Sequence, residues 1–198
     1  MKPKFPLLSL IYLSLLACHA VAQSPAEPVR MNPNGIGIDG YSPVSYFTAG
    51  VPERGDPEYS SQHDGVTYLF TSEDQVDLFE LNPTRYLPAH GGWCTLMMGG
   101  SGRRTPGHPE SWVIVDDRLM LFWSGDTDET KGMGLANWHS KNKGKIKKER
   151  KYIARADKQW ASFVSGERDA KIFLYKRSDA ESVSEAQRGA AKEAYIDE

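Results

Sequence analysis

The segment His90-Gly91-Gly92-Trp93-Cys94 brings an imidazole and a thiol close together along the chain, and Met97 and Met98 follow directly. The glycine pair disfavours a helix but lets a turn fold both side chains toward one point. Thiolate, thioether and imidazole are donors that Cu(I) and related soft ions prefer, so Cys94, His90, Met97 and Met98 form the candidate metal-ligand set. A second reading of the same residues is packing: Trp93, Cys94, Leu96 and Met98 as a core strand, with His90 ending a loop. A third is a Cys–His nucleophile pair, with His63, His90, His108 or His139 as the base. It requires thiolate character and a base within hydrogen-bond reach, and no motif of a known cysteine hydrolase surrounds Cys94.

Two further segments carry polar chemistry. Asp39 and Tyr41 precede Pro43, which reads as an Asx-type turn with a packed aromatic or as a ligand-facing loop. Gly99-Gly100-Ser101-Gly102 with Arg103 and Arg104 reads as a flexible basic loop. It lacks the Gly-Lys-Ser/Thr of a phosphate loop and the β-α-β context of a dinucleotide site.

The elements that must position these groups follow from periodicity and turn signals. Residues 36–47 fit a short strand, a turn and a second apolar segment, and Val51 to Asp64 reads as a polar loop. The turn Asp64-Gly65 introduces a strand at Val66-Thr67-Tyr68-Leu69-Phe70. Thr71-Ser72-Glu73-Asp74 then starts a helix with Val76, Leu78 and Phe79 as its apolar side, and Asn82-Pro83 closes it. Two near-continuous apolar runs, 112–115 and 119–123, flank Asp116-Asp117-Arg118 and predict a hairpin of buried strands. Residues 126–150 are polar, and their basic run reads as a solvated face. Ile153, Ala156, Trp160, Phe163 and Val164 recur at helical spacing, and Ile172-Phe173-Leu174-Tyr175 suits a short strand.

Composition sets the outer bounds. The chain has 198 residues, 39% hydrophobic and 25% charged, with a formal net charge of -2. These values suit a globular domain and exclude a collagen or a multi-span membrane protein. A charge so near zero gives no general attraction to nucleic acid, so no nucleic-acid partner is expected. Lys2 and Lys4, the apolar run 7–16 and Ala20-Val21-Ala22 read as a signal peptide covering residues 1–22, which implies export to the periplasm or beyond. Leu15-Leu16-Ala17-Cys18 overlaps it as a lipobox, and lipidation of Cys18 is the one route to a membrane anchor. Either route leaves Cys94 without an intramolecular disulfide partner. Residues 23–34 read as a proline-containing linker, 35–165 as the folded domain and 166–198 as a C-terminal extension, whose acidic, alanine-rich part from Ser178 to Glu198 reads as a frayed helix or flexible tail.

Several ordered motifs resemble the YHS-domain family, in its exported bacterial branch. Residues 39–47, Asp-Gly-Tyr-Ser-Pro-Val-Ser-Tyr-Phe, resemble the family's D-G-Y-D-P-V-A-Y-F. Tyr68-Leu69-Phe70-Thr71-Ser72 through Phe79, Asn82-Pro83 and Arg85-Tyr86 resembles Y-x-F-x-S…F…N-P-x-R-Y. Gly91-Gly92-Trp93-Cys94 resembles G-G-Y-C, and Pro109-Glu110-Ser111-Trp112 with the hairpin resembles D-P-E-A-W…V-D-G-K-L-Y-L. In the related metal-binding families one Cys follows D-P-V and another follows the Y-x-F strand. Here Ser45 and Thr71 stand at those positions, so that thiol pair is not carried over.

The expected fold is α+β, a small antiparallel sheet packed against two or three helices. The expected function is an exported binding module for a metal ion or small ligand, with a soft metal such as copper held through Cys94. The alternatives are a thiol-dependent enzyme using Cys94, and a scaffold or interaction domain with an unidentified protein partner.

Overall fold

The computed structural model describes residues 29–167. The expected signal peptide, the lipobox, the first part of the linker, the strand expected at 172–175 and nearly all of the C-terminal extension lie outside the described residues. Among the described residues the architecture is α+β: two separate antiparallel hairpins and six α-helices.

The first hairpin joins β1 (Asp56–His63) to β2 (Val66–Phe70), and the second joins β3 (His108–Val115) to β4 (Arg118–Phe122). Both turns place two consecutive residues at positive φ, Asp64 and Gly65 in one and Asp116 and Asp117 in the other. That backbone matches the right-handed twist of the flanking strands, and Asp and Gly are among the residues that tolerate it. The helices are α1 (Ser45–Thr48), α2 (Glu73–Leu81), α3 (Pro83–Tyr86), α4 (Thr95–Ser101), α5 (Met133–Asn142) and α6 (Ile146–Val164). Short 3-10 turns cover Ile38–Gly40 and Ala89–Gly92.

Strand β4 explains why its sequence is apolar without alternation. Leu119 and Leu121 enter a cluster with Tyr46, Phe70 and Phe79. Met120 and Phe122 enter another with Cys94, Trp138 and Tyr152. Successive side chains point to opposite faces of a strand, so one strand with two covered faces must be apolar throughout. A third cluster, Trp93, Met98, Ala156 and Phe163, lies where α4 meets α6.

Four expectations change. The polar segment up to Asp64 contains strand β1, whose half-buried residues alternate with exposed ones at Ser60, Gln62 and their neighbours. An edge strand this polar carries no hydrophobic signal. Trp93 to Met98 is not a strand: Trp93 makes one bridge to Pro106, Cys94 caps α4, and the helix follows. A short apolar run cannot distinguish a strand from a buried helix by periodicity. The glycines after Met98 belong to α4 rather than to a flexible loop. Gly99 lies so close to Tyr152 of α6 that an added Cβ would sit 2.5 Å from its ring, so the small residue serves close helix packing. Leu78, expected on the inner side of α2, is exposed, while Val76 and Phe79 are buried as predicted.

Candidate functional site

The turn at Ala89–Gly92 is built from left-handed backbone. His90 has φ 57, Gly91 φ 60 and Gly92 φ 84. For His90 this conformation carries strain that the surroundings must hold. Those surroundings are polar. His90 Nε2 lies 3.0 Å from Asp157 Oδ1 on α6, and Nδ1 lies 3.1 Å from Thr95 Oγ1 on α4. Arg118, the first residue of β4, closes the network with two bonds to Asp157, Nη2 to Oδ1 at 2.7 Å and Nη1 to Oδ2 at 3.1 Å. One imidazole thus ties together the turn, both helices and the second hairpin.

Proton bookkeeping fixes the tautomer. A carboxylate only accepts, so Nε2 carries the hydrogen given to Asp157. With His90 neutral, the Thr95 hydroxyl donates to Nδ1. With His90 protonated, Nδ1 donates to Thr95, and the hydroxyl can turn to Met120 Sδ at 3.6 Å. The relay therefore accepts either charge state without an orphaned donor. Partial burial pushes the Asp157 carboxyl up, but the hydrogen bonds from His90 and Arg118, with their charge, outweigh it. They hold the group well below the usual carboxylate range.

The relay flanks an open cleft of about 320 Å³. Leu87, Pro88 and Trp160 give it apolar walls, and Arg85, Thr84 and Asp117 bring polar groups. The size is at the lower end for small-molecule sites. Gly91 forms part of the wall, where an added Cβ would meet Trp160 at 2.7 Å. Its carbonyl also accepts the Arg30 N–H at 2.7 Å, holding the start of the described chain across the site. The Arg118 guanidinium is committed to Asp157. Arg85 is exposed, lies 5.8 Å over Phe47 and 5.9 Å over Tyr86, and has no carboxylate partner among the described residues.

Cys94 occupies a different environment. It is fully buried among Val115, Met120, Phe122, Trp138 and Tyr152. Burial pushes its thiol up, and backbone N–H groups of Met97, Trp123 and Leu96 only partly oppose this. A buried thiol of this kind is a poor nucleophile.

The four expected metal ligands do not converge as the sequence suggested. Met97 packs against the cluster containing Cys94, but Met98 belongs to the cluster with Trp93 and Phe163. Both nitrogens of His90 are hydrogen-bonded, so ligation would require it to leave Thr95 or Asp157. Among the described residues, no three His, Cys, Asp or Glu side chains form a metal-holding group. Ser45, the position that the sequence resemblance aligns with a thiol, fits a metal no better. Ser45 is buried, its hydroxyl donates to Ser42 O at 2.9 Å and accepts from Glu53 N–H at 3.1 Å, and both roles are structural. Of the other candidate bases, His63 pairs with Asp64, and His108 Nδ1 accepts the Glu110 N–H. Asp39 bonds Arg30 at 2.7 Å, and Tyr41 donates to Glu110 at 3.0 Å.

Sequence reading missed Thr95, Asp157, Arg118, Arg85 and Trp160 as site residues. One signal existed for Asp157: it follows Ile153 and Ala156 on the inward side of α6, where an acid needs a partner. No family model, curated protein or solved structure matches the chain.

Proposed function

We propose that residues 35–165 are an exported, YHS-like binding module whose ligand occupies the cleft beside His90. The motifs quoted above support the family reading, and the leader-like residues 1–22 support export. The observation that carries the binding reading is the cleft itself, lined by Trp160, Leu87 and Pro88 together with Arg85, whose guanidinium is in no salt bridge among the described residues. That pairing suits a small acid with an apolar body. The ring or chain would lie against Trp160, and the acid would face Arg85. The His90–Asp157–Arg118 network would serve as a rigid support, since each of its charges already has a partner. Rigidity lowers the ordering cost of binding.

A soft metal at Cys94 has weaker support. Such a site would have to open a sealed apolar cluster, deprotonate a thiol that burial keeps protonated, and recruit thioethers from a helix packed on both sides. A thiol-dependent enzyme meets the same obstacles, because substrate must reach the sulfur.

Calorimetric titration with benzoate tests the cleft reading. The expected result is saturable binding to the wild type, weakened about tenfold or more in Arg85→Gln through loss of a charged hydrogen bond. Anaerobic titration with Cu(I) is the counter-test. Stoichiometric uptake that Cys94→Ser abolishes, with no benzoate binding, would move the function to the sulfur.

A further inference from the structure

We propose that the outward face of α6 is a docking surface for an anionic phospholipid bilayer. The inference concerns a different face from the cleft and does not depend on it.

Charge is distributed very unevenly along the chain. Residues 141–158 hold nine Lys or Arg and only two acids, in a chain whose formal net charge is -2. Neither acid shields the outer face. Glu149 is half-buried, and Asp157 is half-buried and bound to His90 and Arg118. Helical spacing gathers the cations into one stripe. Lys147, Lys151 and Lys158 run down its centre with Lys148 and Arg155 along one flank, all exposed, while Tyr152, Ile153, Ala156 and Phe163 face inward. No salt bridge engages Lys147, Lys151 or Lys158 among the described residues, and Arg150 on the other flank is the cation that pairs, with Asp116.

The stripe is unfavourable to the helix that carries it. Lys147 and Lys151, and Lys151 and Arg155, are like-charge pairs at i, i+4, which destabilise a helix. Lys147 and Lys148 also sit in the first turn, where the helix dipole disfavours cations. An external anionic surface relieves both penalties.

The chemistry of the face selects the partner. The central cations are lysines, compact point charges that attract an anionic layer without the fork geometry of a defined pocket. The exposed stripe has no aromatic side chain on which a base could stack, so it lacks the platform of a single-stranded nucleic-acid site. The helix is about 28 Å long, and Lys147, Lys151 and Lys158 share one narrow face of it, so they can touch a flat surface together.

The test is flotation of residues 23–198, which lack the apolar leader, with vesicles of phosphatidylcholine alone or mixed with phosphatidylglycerol. The expected result is binding to the mixed vesicles alone, lost progressively as salt is added. The triple variant Lys147→Gln, Lys151→Gln, Lys158→Gln should bind on the order of a hundredfold more weakly. Its circular dichroism should be unchanged, because all three positions are exposed and glutamine is a good helix former. Equal binding to neutral vesicles, unchanged binding by the triple variant, or retention on heparin without vesicle binding would each overturn the proposal. Should the variant misfold, the lipid selectivity and salt dependence of the wild type still decide it.

Discussion

His90 and Cys94 lie within one pentapeptide and end in opposite kinds of environment. The imidazole is itself buried, but among polar partners, held by Thr95 and Asp157 beside an open cleft. The thiol is sealed among aliphatic and aromatic side chains. Gly91 and Gly92, both at positive φ, turn the chain between them. Spacing in sequence therefore said little about proximity of function. What separates the two is the kind of partner each finds: charged groups on α6 and β4 for His90, and the apolar even-numbered face of β4 for Cys94.

The comparison can be broken most severely at the sulfur. Cys94→Asp should cost about 4 kcal/mol or more in urea unfolding, because it places an unpaired charge in a closed apolar cluster. Near-native stability of that variant would show that the cluster is open. On the other side, His90→Ala should cost about 3 kcal/mol, since it removes the imidazole bonds of Asp157 and Thr95, leaving Asp157 to Arg118 alone, and opens a cavity between α4 and α6.

Asp157→Asn sharpens the contrast through pH. The carboxyl is lowered in the folded protein. Its contribution is therefore present above the ordinary unfolded value of about 3.9 and is lost as pH falls toward the folded value. The side chain is 42% exposed, so solvent screens the interaction, and about 1–2 kcal/mol is expected at neutral pH. Chemical denaturation across pH should show the gap between wild type and variant shrinking below about pH 4. A constant gap would mean that the carboxylate charge is not what holds the relay. The smallest stability change belongs to Arg85→Gln. It should stay within about 0.5 kcal/mol by thermal melting, because the residue is exposed and without an ion pair.

Much of the framework was legible in the sequence. Helix α2 begins beside Ser72 with Glu73 and Asp74 in its first turn and ends before Pro83, as the capping residues and proline imply. Helix α6 declares itself through its apolar spacing, and the second hairpin through its two apolar runs. Strand β1 was hidden because its stabilisation lies in backbone pairing with β2, and that leaves no side-chain pattern. Helix α4 was hidden because Gly99 and Gly100 signal flexibility in isolation, whereas Tyr152, more than fifty residues away, makes them packing residues. The site was hidden for the same reason: Thr95, Arg118 and Asp157 meet only after β4 and α6 have docked. A soft residue such as Cys94 attracts chemical interest in a sequence, yet burial decides whether its sulfur is available.

The central claim is that binding belongs to the His90 side of the pentapeptide and not to the Cys94 side. Amide hydrogen exchange, measured with and without saturating benzoate, tests it most directly. The account predicts added protection in residues 84–91 and around Trp160, with α4 and the strand residues around Cys94 unchanged. Protection confined to residues 94–101 and 119–123, with the cleft unaffected, would contradict it.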